Sequence, residues 1–179
     1  MSEQLPALPS QTIGPFYHFA LTAGTALGRM DSPDMQGERI RLRLRLLDGD
    51  GAPVPDAMIE LWQADSNGRY QESAGFGRLA TDSDGVCLFE TVRPGPVSDG
   101  LGGVQASHIS VSIFARGLLG RLATRIYFAG DANLDSDPVL ALVPASRRAT
   151  LLGEPGNEAG QWNLDIRLQG ENETVFFDL

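Results

Sequence analysis

The chain has 179 residues, and its 23 acidic residues against 14 Lys and Arg give a net charge of -9. One domain of this size buries a sufficient core without disulfides, and the acidic excess opposes nucleic-acid binding, which needs cations against phosphates. No apolar run approaches the roughly 20 residues of a membrane helix, and Cys87 has no second cysteine for an internal disulfide. Because no apolar leader precedes the first polar residues, we predict a cytoplasmic protein.

Residues 1–39 show no sustained hydrophobic period. We predict that they form an extended arm, with about one helical turn, that packs on a partner subunit. Residues 40–179 are predicted to form a single β-sandwich domain. Its first strand is clear, because residues 40–46 alternate strictly between aliphatic side chains and arginines, as a half-buried strand does.

Further strands and a few short helices are predicted along the rest of the chain. Aspartate-, glycine- and proline-rich turns separate segments of period-two alternation. These strands cover residues 58–62, 86–92, 108–114, 122–128 and 162–168. Short helices are predicted at 137–143 and 145–152, and the apolar residues 174–177 predict a docked terminal strand or a subunit contact. The fold class is therefore mainly β, an antiparallel β-sandwich with few short helices.

The sequence contains only part of the ligand pattern of a possible metal site. His108 and Ser110 point to the same face of their predicted strand, where a His-x-His pair would supply two imidazoles. The other candidate ligands are few: one further histidine, His18, and three tyrosines, Tyr17, Tyr70 and Tyr127. We therefore predict that the side chains of this chain do not hold a redox metal.

Arg125 is a charge in the middle of a predicted strand. It shares a face with Arg121, Ala123 and Tyr127. Two interpretations remain open from this pattern. Arg125 is either a solvated strand residue or a partly buried guanidinium presented to an anion, which its planar fork suits.

Several segments, taken together, resemble one enzyme family. They are residues 9–17 (PSQTIGPFY), 59–70 (IELWQADSNGRY), 108–110 (HIS), 124–128 (TRIYF) and 170–178 (GENETVFFD). This set is similar to the intradiol aromatic-ring dioxygenases, and within that family to the non-catalytic alpha subunits. The segments run from the arm to the last residues, so the resemblance covers essentially the whole chain.

The resemblance implies a fold and a metal that belongs to a partner. In the family, a catalytic beta subunit of the same β-sandwich fold binds Fe(3+) through two tyrosines and two histidines. Tyr70 and His108 fall on the first position of each kind, whereas the second positions hold Val97 and Ser110. The resemblance therefore implies a vestigial metal site, with no cofactor bound by this chain and Fe(3+) in the beta subunit.

The resemblance also implies which residues meet the substrate. It places Thr12, Gly14, Pro15 and Arg125 near the catechol bound by the adjacent beta subunit, and it places no catalytic residue in this chain. Gly14 allows close backbone approach, and Pro15 fixes the direction of the arm. Arg125 would supply positive potential to an anionic, carboxylated catechol. The implied function is that of one subunit of a dioxygenase heteromer in aromatic catabolism, inactive by itself.

Two alternatives stand beside this reading. One is a self-sufficient dioxygenase with a rearranged ligand set such as Tyr17, Tyr70, Tyr127 and His108. The other is a β-sandwich that binds or scaffolds other molecules without any link to ring cleavage. Metal analysis of the isolated chain tests the first, and co-purification with an iron-bearing homologue tests the second.

Overall fold

The computed structural model describes residues 11–178 apart from residues 15, 25, 33, 34, 72 and 73. Within these residues the chain is built mainly from strands: β1 Arg39–Leu47, β2 Met58–Gln63, β3 Phe76–Ala80, β4 Val86–Val92, β5 Val97–Ser98, β6 Val104–Gln105, β7 His108–Phe114, β8 Leu122–Phe128, β9 Leu152–Pro155 and β10 Gln161–Arg167. The helices are short: α1 Phe16–Leu21, and 3₁₀ helices at Ala26–Gly28, Leu134–Ser136, Leu140–Leu142 and Ala145–Leu151. In the described part of the chain, no helix is long and apolar enough to cross a membrane.

Eight strands form one sheet that folds over on itself. The strand order is β3-β2-β7-β8-β9-β10-β1-β4, and β5 pairs with β6 as a separate hairpin. The two ends of the sheet come together through the segment after the first 3₁₀ helix, where the Met30 amide donates to the Glu90 carbonyl of β4 at 2.8 Å. The alternating aliphatic side chains of both halves meet between the layers; they include Leu42, Leu44, Ile59, Leu61, Ile109, Val111 and Ile166.

The predicted mainly β sandwich is confirmed, although its ladders are not all antiparallel. β1 pairs with β10 in parallel, and β8 pairs with β9 in parallel. Alternation tells which face of a strand is buried but not in which direction its neighbour runs. A parallel pair needs a longer crossover, and the stretch of 3₁₀ helices between β8 and β9 provides one.

Most predicted element bounds agree with the structure. The strands predicted at 86–92, 108–114 and 122–128 are β4, β7 and β8 to the residue. The helix predicted at 137–143 is wrong in extent, since only Leu140–Leu142 is helical, and the one at 145–152 is a 3₁₀ helix. The sequence prediction missed β3, β5, β6 and β9, which are only two to five residues long.

Both chain ends described by the structure pack on the sandwich. The Thr12 hydroxyl accepts a hydrogen bond from the Gly117 amide at 2.9 Å, and Tyr17 of α1 lies against Phe114 of β7. At the other end, the Phe177 amide donates to the Ala123 carbonyl of β8 at 2.8 Å. The C-terminal segment therefore docks on its own chain through one β-bridge at Phe177 and through hydrogen bonds of the Val175 backbone with the Thr124 and Thr150 hydroxyls, and it does not form a full strand.

Cys87 is a core residue, as its place in an alternating strand predicts. It is buried in β4, opposite Leu44 of β1. Burial, with a smaller contribution from Asp82, raises the pKa of the thiol to about 12. The thiolate is the reactive form of cysteine, so Cys87 is not a nucleophile.

Candidate functional site

Strands β7 and β8 carry three of the sequence-predicted site residues, His108, Ser110 and Arg125, on the face turned away from the core of the sandwich. Across β2, β7 and β8, Trp62, Ser110 and Arg125 are register partners, and His108 lies opposite Tyr127. Residues at alternate positions, such as Ile109, turn inward to the core. The period-two pattern therefore places His108 and Ser110 on a common face, as the sequence predicts, and the pairing of β7 with β8 adds Arg125 to that face.

Two loops that contact each other carry Tyr70 and Val97, the positions at which the resemblance expects the two tyrosine ligands. Gly68 has a φ of +74°, and a Cβ there would collide with the Pro96 carbonyl oxygen. From the other side, the Gly95 amide donates to the Asp65 carbonyl at 2.9 Å. Position 68 therefore requires glycine twice, for its backbone angle and for its close approach. The contact fixes the loop before Tyr70 against the segment that leads to Val97.

The side chains at these two positions do different things. The Tyr70 ring is 46% exposed and stacks on Trp62, with ring centroids 5.9 Å apart and an interplanar angle of 9°. Val97 is buried in the β5–β6 hairpin. The Tyr70 phenol is available to a ligand, whereas Val97 has no donor atom.

His108 is neutral and has one ring nitrogen free to accept. It is 2% exposed, and its Nδ1 lies 2.8 Å from the Ala106 carbonyl oxygen. A carbonyl oxygen only accepts, so Nδ1 carries the proton and Nε2 keeps its lone pair. Burial lowers the pKa of His108, and the Arg125 charge lowers it further.

The residues at the four family ligand positions do not fit a ferric ion. Tyr70 and His108 offer a phenol and an imidazole, but Val97 offers nothing and Ser110 only a neutral hydroxyl. Among the described residues, no three of the His, Cys, Asp and Glu side chains gather around a common point. A trivalent ion needs more anionic and imidazole donors than this set supplies.

Arg125 belongs to a network that connects β8 with the β5–β6 hairpin. Its half-buried guanidinium donates from Nη1 to the Gln105 Oε1 at 2.7 Å and to the Tyr127 hydroxyl at 3.4 Å. Arg125 makes no other hydrogen bond within the part of the chain that the structure describes. Its Nε and Nη2 protons therefore remain as donors, which is the arrangement expected of a guanidinium presented to an anion.

Asp137 anchors the far side of this network. It is 0% exposed, and the Tyr127 hydroxyl donates to its Oδ1 at 3.2 Å. Three backbone amides also donate to its carboxylate: Ala106 at 2.7 Å, Val139 at 2.9 Å and Leu140 at 2.6 Å. Burial raises the pKa of Tyr127 to about 12, so its hydroxyl stays protonated and can donate to Asp137.

The sequence prediction missed Gln105 and Asp137 as members of the site. Gln105 ends the two-residue strand β6, where no periodicity marks it. The Asp137-Pro138 pair predicts the start of a helix, whereas the carboxylate of Asp137 binds amides from two separate segments. Ala106 and Asp137 are 31 positions apart in the sequence, so no local pattern indicates their contact.

The arm residues lie at the opposite end of the β7–β8 hairpin. Thr12 bonds to Gly117 in the hairpin loop, and Gly14 is exposed beside a cavity of about 410 Å³. Pro15 lies outside the described residues. Phe114, which the arm covers, is four positions from Ser110, or about 13 Å along the strand. The structure therefore places Thr12 on the loop of the hairpin that carries Arg125, but away from its guanidinium.

This placement bears on the rearranged ligand set. Tyr127 and His108 are neighbours, with ring centroids 5.8 Å apart. Tyr17 packs on Phe114, at the other end of β7. Because the Tyr127 hydroxyl already contacts Asp137 and Arg125, the four residues do not converge on one point.

Comparison with known proteins identifies the class. The structure resembles catechol 1,2-dioxygenase from Pseudomonas arvilla C-1, with a TM-score of 0.65 and 26% identity over 79% of this chain and 55% of that one. The dioxygenase domain of a carbohydrate-binding fusion protein from Streptomyces sp. SirexAA-E matches with a TM-score of 0.67 and 23% identity over 90% of this chain and 97% of that domain. At this identity the match shows the fold alone. A family model described as dioxygenase matches residues 13–170. The chain belongs to the intradiol dioxygenase family.

Within the family, the curated relatives are more specific. The protocatechuate 3,4-dioxygenase alpha chain of Pseudomonas putida is 41% identical over 98% of both proteins. The alpha chain of Burkholderia cepacia is 38% identical over the same shares. The beta chain of the Burkholderia cepacia enzyme is 32% identical over 94% of this chain and 78% of that protein.

Proposed function

We propose that this chain is the non-catalytic alpha subunit of a protocatechuate 3,4-dioxygenase. One observation carries the proposal: the chain has the dioxygenase fold, while Val97 and Ser110 supply no metal ligand where the family has tyrosine and histidine. The end-to-end similarity to two alpha chains supports it. The related beta chain is the type of partner that would hold Fe(3+).

In the proposed heteromer, this chain completes the substrate pocket of the beta subunit. Ferric iron held by that subunit would supply the activation of a bound catecholate toward dioxygen, and the proposed overall reaction is the cleavage of protocatechuate to 3-carboxy-cis,cis-muconate. The part of this chain is to bind and orient. Arg125 offers its Nε and Nη2 protons to the substrate carboxylate, and Thr12, Gly14 and Pro15 border the pocket. A buried, unpaired Cys87 suits the reducing cytoplasm in which we place the assembly.

Co-expression with a beta chain tests the assignment. We expect the isolated chain to be colourless, iron-free and inactive, and the co-purified heteromer to contain iron and cleave protocatechuate. The visible colour of tyrosinate-bound iron should appear only with the beta chain. Ferric iron and ring cleavage in the isolated chain would show a self-sufficient enzyme instead. Failure to associate with the beta chain would favour the unrelated scaffold.

The role of Arg125 has a separate test in the assembled heteromer. Loss of a charge-assisted contact with a carboxylate costs about 1–3 kcal/mol, so Arg125→Ala should raise the KM for protocatechuate by about 5- to 150-fold. Arg121→Ala is the matched control, because Arg121 is an exposed arginine that immediately precedes β8. Unchanged KM and turnover in Arg125→Ala, with normal assembly and iron content, would contradict the role.

A further inference from the structure

Arg125 differs from several other strand arginines in what holds it. Arg45 pairs with Asp165, Arg78 with Glu60, and Arg41 with Glu158. Arg125, in contrast, donates only to neutral oxygens of Gln105 and Tyr127 in the described part of the chain. Its guanidinium is therefore held in place without having its charge cancelled.

Asp137 carries the nearest negative charge along this hydrogen-bond network, and the Tyr127 hydroxyl lies between it and Arg125. The Asp137 carboxylate is one hydroxyl further on, and three backbone amides and the Tyr127 hydroxyl satisfy its oxygens. Because Tyr127 donates its single proton to Asp137, a lone pair of its oxygen is left for Arg125. The Asp137 contact thus orients the Tyr127 hydroxyl as an acceptor. The neighbouring His108 contributes no charge, since its pKa is lowered by burial and by Arg125.

We propose that Gln105 and Tyr127 are positioning residues that set the preference of the heteromer for carboxylated catechols. This inference rests on the proposed function, in which Arg125 binds the substrate carboxylate. The two acceptors occupy both protons of Nη1, which leaves the Nε and Nη2 edge of the guanidinium as a planar fork for one carboxylate. A long arginine side chain loses rotamer freedom when it is ordered, and a side chain that is already held before binding avoids that loss on binding.

Gln105 and Tyr127 accept from the Arg125 guanidinium from two different strands, and this restricts the orientation of the guanidinium. Gln105 ends β6, in the hairpin that also carries Val97, and Tyr127 lies two residues beyond Arg125 on β8. Gln105 is partly buried, and Tyr127 is fully buried beside Asp137. The hairpin that has lost a metal ligand at position 97 thus still serves the site through Gln105.

The experiment uses the heteromer with its beta chain and compares protocatechuate with catechol, which lacks the carboxylate. Gln105→Met and Tyr127→Phe each remove one acceptor with little change in volume. We expect each to raise the KM for protocatechuate by about threefold to tenfold, with kcat retained and the catechol parameters unchanged. Gln105→Glu keeps an acceptor but adds a negative charge, and it should raise the KM for protocatechuate at least as much as Gln105→Met.

The outcomes separate this inference from the proposed function. If Arg125→Ala changes the ratio of the two substrates but the Gln105 variants leave it unchanged, the positioning role is wrong and the function stands. Equal losses with both substrates in Gln105→Met would show a merely structural role and would also overturn the inference. If Arg125→Ala itself leaves the ratio unchanged, the substrate-binding role of Arg125 fails. Gln105 is not in the core, so its variants keep the test valid even if Tyr127→Phe lowers stability.

Discussion

The positions at which the family has metal ligands and the Arg125 network meet on β7 and β8, but they use their polar groups differently. At the ligand positions, Tyr70 is exposed, Val97 has no donor atom, and Ser110 has only a neutral hydroxyl. These positions therefore do not supply the ligand set of the family. In the Arg125 network, Nη1 of Arg125, the Tyr127 hydroxyl and the Asp137 carboxylate have defined partners, and the Nε and Nη2 edge of the guanidinium remains available. On the proposed function, this chain lacks the metal of its family and still has a framework that positions a neighbouring charge.

Restoring the missing donors should produce the largest change. In the isolated chain, Val97→Tyr combined with Ser110→His would complete a set of two tyrosines and two histidines with Tyr70 and His108. Because the Gly68 contact still fixes the loops and Nε2 of His108 is free, we expect the double variant to bind stoichiometric ferric iron and become coloured. Metal analysis checks this, with each single variant as the control. A double variant without iron would show that the frame has changed as well as the ligands.

Removal of Asp137 should destabilise the isolated chain far more than removal of a ligand-position side chain. Asp137→Ala leaves three buried amides and the Tyr127 hydroxyl without their acceptor, which we expect to cost about 3–5 kcal/mol of unfolding free energy. Tyr70→Ala removes an exposed ring and should cost about 1 kcal/mol or less. Urea denaturation measures both. Similar losses in the two variants would contradict the contrast between the regions.

The loop contact at Gly68 should be intolerant of any side chain. Gly68→Ala combines a left-handed backbone with a collision at Pro96, and we expect it to cost about 2–4 kcal/mol. Gly117→Ala is the matched control, because Gly117 has a φ of +90° but no atom within 4 Å of the added Cβ. It should cost only about 1–2 kcal/mol. Equal thermal shifts in the two variants would mean that the close approach at Gly68 contributes nothing.

The smallest effect concerns the pH dependence of stability. The pKa of folded His108 is lowered from its ordinary value of 6.5, so below that pH the unfolded chain binds a proton that the folded chain does not. Stability should therefore fall as the pH drops below 6.5, with a slope of up to about 1.4 kcal/mol per pH unit. His108→Gln should remove this component, and His18→Gln serves as the control. Loss of the dependence in the His18 variant instead would show that His108 is not its source.

The metal and charge arguments could be made from sequence because they depend on identity and local period. Valine at position 97 and serine at position 110 exclude a ligand set whatever the surroundings are. Alternation placed His108 and Ser110 on one face, and Arg125 and Tyr127 on one face, since side chains of a strand alternate by geometry alone. The partners of Arg125 could not be read in this way, because Gln105 and Asp137 approach from segments without any regular pattern.

By itself, then, the sequence determined the mainly β class, the bounds of β4, β7 and β8, and the loss of two metal donors. Only the tertiary structure decided which strands pair in parallel, how Gly68 and Gly95 join two loops, and that the Arg125 charge is held by neutral oxygens and not by a carboxylate. The reason is that periodicity and residue type act within a few residues. Strand direction, loop contacts and hydrogen-bond partners depend on segments that only folding brings together.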